Sequence, residues 1–243
     1  MAGMSIPEVA CSGLTKARAA YEHAGALIVR DAIHLKDLGA ARDQWLAAFR
    51  AFDEMSESPE AHDAFKLELG MFSNYQFIQQ GVLRHRLNLP DGLASHLGRL
   101  GRSLFGRVSY VEGKSAIRRQ GRKSSAYVVW HRDAHAVQTM ESGDCFNCWV
   151  PSESVGEERS SLQIAVGSNR DWKNRPVNYE RHDNPAHEDV EKNYEIATAV
   201  LNPGDILIFS HFTLHRTQPI ANEIERISSE FRFAIKPSFW KWL

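Results

Sequence analysis

The residues best placed to do chemistry sit in one tetrapeptide, Trp130-His131-Arg132-Asp133. It closes an apolar run, Tyr127-Val128-Val129-Trp130, that reads as a strand spanning about 125–133. Side chains alternate along a strand, so His131 and Asp133 share a face and Arg132 points away. An imidazole and a carboxylate converging on one point supply two thirds of a facial triad, the ligand set that leaves open positions on iron for co-substrate and O2. An H-x-D alone is a weak signal, because most histidines are simply hydrogen-bonded structural residues. A third ligand must come from elsewhere in the chain.

His215 is the best candidate for it. It lies just past Asp205-Ile206-Leu207-Ile208-Phe209-Ser210, an apolar strand entered through the turn Asn202-Pro203-Gly204-Asp205. His135, His182, His187 and His211 compete for the role. Eleven residues after His215 stands Arg226. A guanidinium presents a planar fork that matches a carboxylate in bidentate fashion, which suits the far carboxylate of a 2-oxoacid chelated to iron. Thr217 shares the face of His215 if that strand continues, and could donate its hydroxyl to the same carboxylate. Arg232 is the alternative clamp. The last strand, 227–235 with Arg226 before it, alternates cleanly. Arg226, Ser228, Glu230 and Arg232 fall on one face, and Ile227, Ser229, Phe231, Phe233 and Ile235 on the other.

The elements that must position these residues change character near residue 106. Before it, helical spacing dominates over 16–23, 34–51 (with Asp31 as a cap near its start) and a helix opened by Pro90-Asp91, with Leu93, Leu97, Leu100 and Leu104 on one stripe. A strand, Ala26 to Arg30, interrupts them. After it come short strands at about 107–112, 125–133, 145–151, 161–166, 196–201, 205–210 and 227–235. They are divided by turns rather than long helices, which predicts antiparallel sheets in a sandwich or barrel. One long connection, 168–195, reads as a lid loop, with Trp172, Asn178 and Tyr179 as candidate substrate contacts. Arg118, Arg119, Arg122 and Lys123 read as a solvated hairpin, with attraction of an acidic group as the alternative.

Bulk properties narrow the partners. The 243 residues are 43% apolar and 24% charged, ordinary for a globular chain with a full core. A formal net charge of −1 gives no general attraction to nucleic acid or anionic membrane. No apolar run is long enough to span a bilayer and no secretory leader is evident, so a cytoplasmic location and a small-molecule substrate are expected. The three cysteines, Cys11, Cys145 and Cys148, do not form a disulfide framework. Cys145 and Cys148 are i and i+3 on a strand and read as buried apolar residues rather than a redox pair or half a zinc site.

These motifs together resemble the phytanoyl-CoA dioxygenase family of Fe(II)/2-oxoglutarate oxygenases. Tyr21 to Arg30 is similar to the family's opening strand and helix. Trp130 to Asp133 resembles its H-x-D motif, Cys148-Trp149-Val150-Pro151 its W-v-P stretch, and Gly167-Ser168-Asn169-Arg170 its G-S-H-R segment. Leu201 to His215 resembles its distal-histidine motif. Asn169 departs from the histidine usual there. The resemblance implies one domain over 1–243, mainly β with flanking helices (1–105) around a double-stranded β-helix, or jelly-roll, core (106–243). It implies Fe(II) on His131, Asp133 and His215 as the catalytic and metal-binding set, 2-oxoglutarate at Arg226, Thr217 and Trp149, and O2 as oxidant. Asp133 stands where halogenating relatives have a small residue, so the expected reaction is hydroxylation with release of succinate and CO2. A cupin-like metalloenzyme that does not use an oxoacid, and a metabolite-binding barrel without catalysis, are the alternatives.

Overall fold

The computed structural model describes residues 5–54, 82–84, 92–111, 115–120, 129–133, 144–172, 187–219 and 224–236. In chain order its elements are β1 (Glu8–Ala10), a 3-10 turn (Cys11–Lys16), α1 (Arg18–Ala24), β2 (Ala26–Arg30), α2 (Leu35–Glu54), β3 (Val82–Arg84), α3 (Leu93–Phe105), β4 (Val108–Tyr110) and β5 (Ala116–Gln120). Then come β6 (Cys145–Pro151), β7 (Leu162–Ala165), α4 (Asn169–Trp172), α5 (His187–Asn193), β8 (Ile196–Thr198), β9 (Ile206–Ser210), β10 (His215–Thr217) and β11 (Arg226–Ile235).

Two sheets face each other. The larger has eight strands in the order β1-β2-β9-β6-β11-β5-β3, with β4 pairing alongside β5 on β11. The smaller runs β10-β7-β8. All pairings are antiparallel except the edge pair β1 and β2. This is the jelly-roll architecture of the sequence expectation. The strands before residue 106 join the same large sheet.

Alternation in the strands sorts side chains to two faces. On the outer face of the large sheet, Ile227, Phe231 and Phe233 of β11, Phe146, Cys148 and Val150 of β6, and Ile206 and Ile208 of β9 meet Trp45 and Phe49 of α2 and Leu97 and Leu104 of α3. Each such large apolar side chain contributes roughly 1.5–3 kcal/mol when removed from water. The inner face carries Arg226, Ser228, Glu230 and Arg232, paired in register with Gln120, Arg118, Trp149 and Asn147 on neighbouring strands. A second apolar cluster closes one end of the space between the sheets, around Ile28, Leu162, Ile164, Leu207 and Phe209.

Several expectations shift. Asp31 caps no helix: it sits at φ 51 in the turn after β2, and its N–H donates to Asp205 Oδ1 at 2.9 Å. That bond, with Arg30 donating to Asp205 Oδ2 at 2.6 Å, ties the 202–205 turn to β2. The stretch Arg118-Arg119 is strand, not hairpin tip, because its apolar and polar residues alternate between the helix layer and the barrel. Arg119 packs its guanidinium over the Phe49 ring, while Arg118 turns inward to Glu230. Arg122 and Lys123 lie outside the described residues. The connection 168–195 is interrupted by α4 and α5.

Gly25 is the tightest backbone junction near the future site. It ends α1 at φ 78, a left-handed conformation open to glycine. A Cβ there would fall 2.5 Å from Asn169 Oδ1 and 2.6 Å from Thr213 Oγ1. Gly39, inside α2, has nothing within 4 Å of its Cβ position. Gly25→Ala is expected to destabilise the fold by about 1–3 kcal/mol, and Gly39→Ala to stabilise it by up to about 1 kcal/mol. Thermal unfolding checks the pair, and equal signs for the two substitutions would contradict this reading.

Candidate active site

His131 and His215 are joined through their backbones. His131 N–H donates to the His215 carbonyl at 3.0 Å, and His215 N–H returns the bond at 3.1 Å. This is an isolated antiparallel bridge. Among the described residues 129–133 form no longer ladder, which corrects the strand expected over 125–133; residues 121–128 are outside the description. Local anchors replace the missing ladder. Arg132 points away from the metal side, as parity predicts, and donates from Nε to the Phe212 carbonyl at 2.7 Å and from Nη2 to the Ser168 carbonyl at 3.3 Å. The Ser168 hydroxyl accepts the Leu214 N–H at 2.9 Å. One serine thereby pins both ligand-bearing segments.

The three side chains converge. One ligand atom from each of His131, Asp133 and His215 lies within 4.8 Å of the other two. His131 Nε2 is 3.8 Å from Asp133 Oδ1, and His215 Nε2 is 3.9 Å from Asp133 Oδ2. His131 Nδ1 bonds the Val129 carbonyl at 2.8 Å and His215 Nδ1 the Thr213 carbonyl at 3.0 Å. Each bond places the proton on Nδ1, since a carbonyl only accepts, and leaves the Nε2 lone pair facing inward. Burial, and next the charge of His215, push the His131 imidazole down to about 4, so it is neutral at physiological pH. Burial would raise the Asp133 carboxyl, but the surrounding charges, Arg232 foremost, hold it well below the usual range. Two imidazoles and a carboxylate form a donor set for a divalent first-row metal.

Asp133 is gripped at both oxygens. Asn147 Nδ2 donates to Oδ2 at 2.7 Å, and Arg232 Nη2 lies 3.1 Å from Oδ1. Asn147 was not among the residues singled out from sequence. The signal was there: one amide in an otherwise apolar strand, at the parity of Trp149. Arg232, weighed as a carboxylate clamp, instead faces Asp133.

Arg226 sits farther along β11 and is 2% exposed. Its Nη2 donates to Gln120 Oε1 at 2.6 Å, and its guanidinium lies over the Trp149 ring, 5.0 Å from the centroid. Its Nε and Nη1 are buried and have no hydrogen-bond partner among the described residues. Trp149 Nε1, Gln120 Nε2 and the Ser228 hydroxyl, all on the same inner face, share that condition. Burial, and next the nearby charge of Arg118, depress the Arg226 guanidinium to about 9. Arginine stays charged regardless, so this direction marks a buried cation with no ion-pair partner among the described residues. A convergent set of buried donors beside an uncompensated cation fits a carboxylate ligand. Thr217 is buried on β10, two residues beyond His215 and on its face.

Other candidates resolve differently. His211 is buried against Cys145, whose N–H donates to its Nδ1 at 2.9 Å, and it is not part of the triad. His135 and His182 lie outside the described residues, as do Asn178 and Tyr179. His187 opens α5, and Trp172 ends α4. Cys145 and Cys148 are buried free thiols. Burial pushes the Cys145 thiol up to about 11 and that of Cys148 higher still, so neither is a reactive thiolate.

Comparison with known proteins agrees with this geometry. The family model for phytanoyl-CoA dioxygenase matches residues 21–228. No curated protein sequence matches. Among solved structures, the epimerase SnoN, determined with Fe3+, alpha ketoglutarate and a nogalamycin compound, is 18% identical, with a TM-score of 0.62, covering 92% of this chain and 84% of that one. EctD from S. alaskensis, determined with 2-oxoglutarate and 5-hydroxyectoine, is 16% identical, with a TM-score of 0.64 and coverage of 90% and 75%. The carbocyclase SnoK is 15% identical, with a TM-score of 0.60 and coverage of 93% and 86%.

Alanine at His131, Asp133 or His215 is expected to weaken binding of a divalent first-row metal by at least about a hundredfold, at the upper end of the loss seen when a ligand's supporting partner is removed. His211→Ala should leave it unchanged. Equilibrium dialysis against Co(II) measures both. Retained affinity in any of the first three would remove that residue from the set.

Proposed function

Since the chain belongs to the phytanoyl-CoA dioxygenase family of Fe(II)- and 2-oxoglutarate-dependent oxygenases, we propose that it hydroxylates a small-molecule metabolite at a centre formed by His131, Asp133 and His215. These three would hold Fe(II). Arg226 would hold the far carboxylate of 2-oxoglutarate, with Thr217 and Trp149 beside it. Bound together, the iron and the oxoacid supply the oxidising chemistry from O2, with succinate and CO2 as co-products.

The strongest support is the buried Arg226. A cation taken out of water is costly unless an anion meets it, and two of its nitrogens have no acceptor among the described residues. A dicarboxylate bridging from the metal would satisfy them. The Trp149 face packs against the guanidinium and keeps water from it, which strengthens the charge–charge contact. At the other end, the carbonyls of Val129 and Thr213 keep the imidazoles in the ligating tautomer and orientation.

Hydroxylation is favoured over halide transfer because Asp133 occupies the carboxylate position. The substrate side of the proposal includes Trp172, Asn178 and Tyr179. A single domain, a cytoplasmic location and a non-nucleic-acid substrate complete it. The last is supported by the formal net charge of −1 and the location by three free cysteines. Among the described residues no helix is long and apolar enough to cross a membrane.

Two measurements test the reading. Anaerobic addition of Fe(II) and then 2-oxoglutarate should produce a weak visible charge-transfer band, and a metabolite panel scored by succinate should yield a product heavier by one oxygen. A metal-binding protein that gives no such band with 2-oxoglutarate would sink the co-substrate assignment. Arg226→Ala removes charge-assisted bonds worth about 2 kcal/mol, so the KM for 2-oxoglutarate should rise roughly 30-fold. Arg226→Lys, which keeps charge but loses the fork, should fall between. An unchanged KM in Arg226→Ala would place the carboxylate elsewhere.

A further inference from the structure

Beyond the triad, the barrel interior holds a chain of alternating charges that ends on a proposed metal ligand. Arg118 Nε donates to Glu230 Oε1 at 2.7 Å. Glu230 Oε2 lies 3.6 Å from Arg232 Nη2, and the same Nη2 lies 3.1 Å from Asp133 Oδ1. Arg232 Nε donates to Asn147 Oδ1 at 3.0 Å, and Asn147 Nδ2 donates to Asp133 Oδ2 at 2.7 Å. Asp133, Arg232 and Asn147 therefore form a closed ring of hydrogen bonds, and Glu230 and Arg118 extend it toward β5. Glu230, Arg232, Asn147 and Asp133 are each at most 7% exposed.

The ring and the chain do different things. In the ring, two donors hold the two carboxylate oxygens, so Asp133 cannot rotate about its terminal torsion without breaking a bond. Holding it this way has an electrostatic drawback. A guanidinium beside a metal ligand repels an incoming cation and competes with it for the carboxylate. Glu230 lies on the far side of Arg232 and cancels that charge, and Arg118 in turn partly cancels Glu230.

We propose that Arg232 and Asn147 are positioning residues for Asp133, and that Glu230 is the counter-charge that lets so positioned a carboxylate still accept a divalent cation. This rests on the reading of His131, Asp133 and His215 as metal ligands, but not on 2-oxoglutarate. The scheme makes Arg232 unavailable as a co-substrate clamp. It also predicts opposite signs for the two ends of the chain, which a merely structural network would not.

The test is Co(II) titration of the purified full chain, followed by its visible absorption, without 2-oxoglutarate. Glu230→Gln keeps the shape of the side chain and leaves Arg232 uncompensated, so Co(II) affinity should fall at least about tenfold. Arg118→Gln leaves Glu230 in excess, so affinity should rise several-fold. The double variant Arg232→Met/Glu230→Gln removes both charges. It should recover much of the affinity lost in Glu230→Gln, while its Co(II) spectrum differs from wild type because Asp133 is no longer held. Far-UV circular dichroism and thermal melting identify any variant that fails to fold, and the partly exposed Arg118 supplies the variant that leaves both groups holding Asp133, Arg232 and Asn147, intact. Wild-type affinity in both Glu230→Gln and Arg118→Gln, or a double variant no better than Glu230→Gln, would overturn the inference alone. A wild-type protein that does not bind Co(II) would instead overturn the metal reading on which it stands.

Discussion

A charge buried in a barrel must meet its opposite, and this single constraint organises the interior of the protein. One strand, β11, carries three ionisable side chains on its inner face, Arg226, Glu230 and Arg232, all at most 7% exposed. Burial penalises each of them, and what surrounds each decides the outcome. Glu230 and Arg232 lie within a run of partners reaching from Arg118 to Asp133. Arg226 has an amide oxygen and an aromatic face, neither of which carries a negative charge. The charge-paired end of the strand is thus satisfied within the protein, and the Arg226 end has no carboxylate partner among the described residues.

The metal side is held by a different device. One histidine, His215, opens β10, while His131 lies in a short bridged segment, and their backbones exchange a reciprocal pair of hydrogen bonds. Such a pair fixes separation and orientation only if the flanking chain cannot slide. Arg132 and Ser168 prevent sliding by bonding carbonyls and an amide on either side. Thr213 reaches back to the Gly25 carbonyl at 2.7 Å, and Asn169 to the Glu22 carbonyl at 3.0 Å. Precision at the ligands thus comes from buried side chains, and the glycine at the end of α1 is what lets these segments approach so closely.

Much of this was legible in the residues. The alternation of β11 fixed which side chains face the barrel, and the outer-face residues do pack against α2 and α3. The joining of His131 and Asp133 with a distant histidine followed from parity and from the apolar strand entering through the 202–205 turn. What failed to show was dictated by tertiary contact. The strand around His131 was inferred from its apolar composition, but Val129 is 49% exposed and, among the described residues 129–133, pairing is limited to one bridge. Arg118 looked like part of a solvated run because local charge density says nothing about a carboxylate 112 positions away. Asn147 and Arg232 gained their partners only when β6 and β11 came into register. A pairwise property of two strands is invisible in either strand alone.

The comparison with related folds bears on which features select the reaction. An epimerase and a carbocyclase share this architecture at 15–18% identity, so the barrel does not dictate the outcome. The elements most constrained here are the bridged segments of His131 and His215, the charges on β11 and the Arg226 pocket. Each is fixed by burial or by a closed ring of bonds, and these are the parts a common oxygen-activating step would require to be rigid. Discrimination between reactions must then reside in side chains outside this shared frame. Arg118, Glu230, Arg232 and Asp133 satisfy one another within the barrel, so the frame that holds them can stay the same while the outcome of the reaction changes.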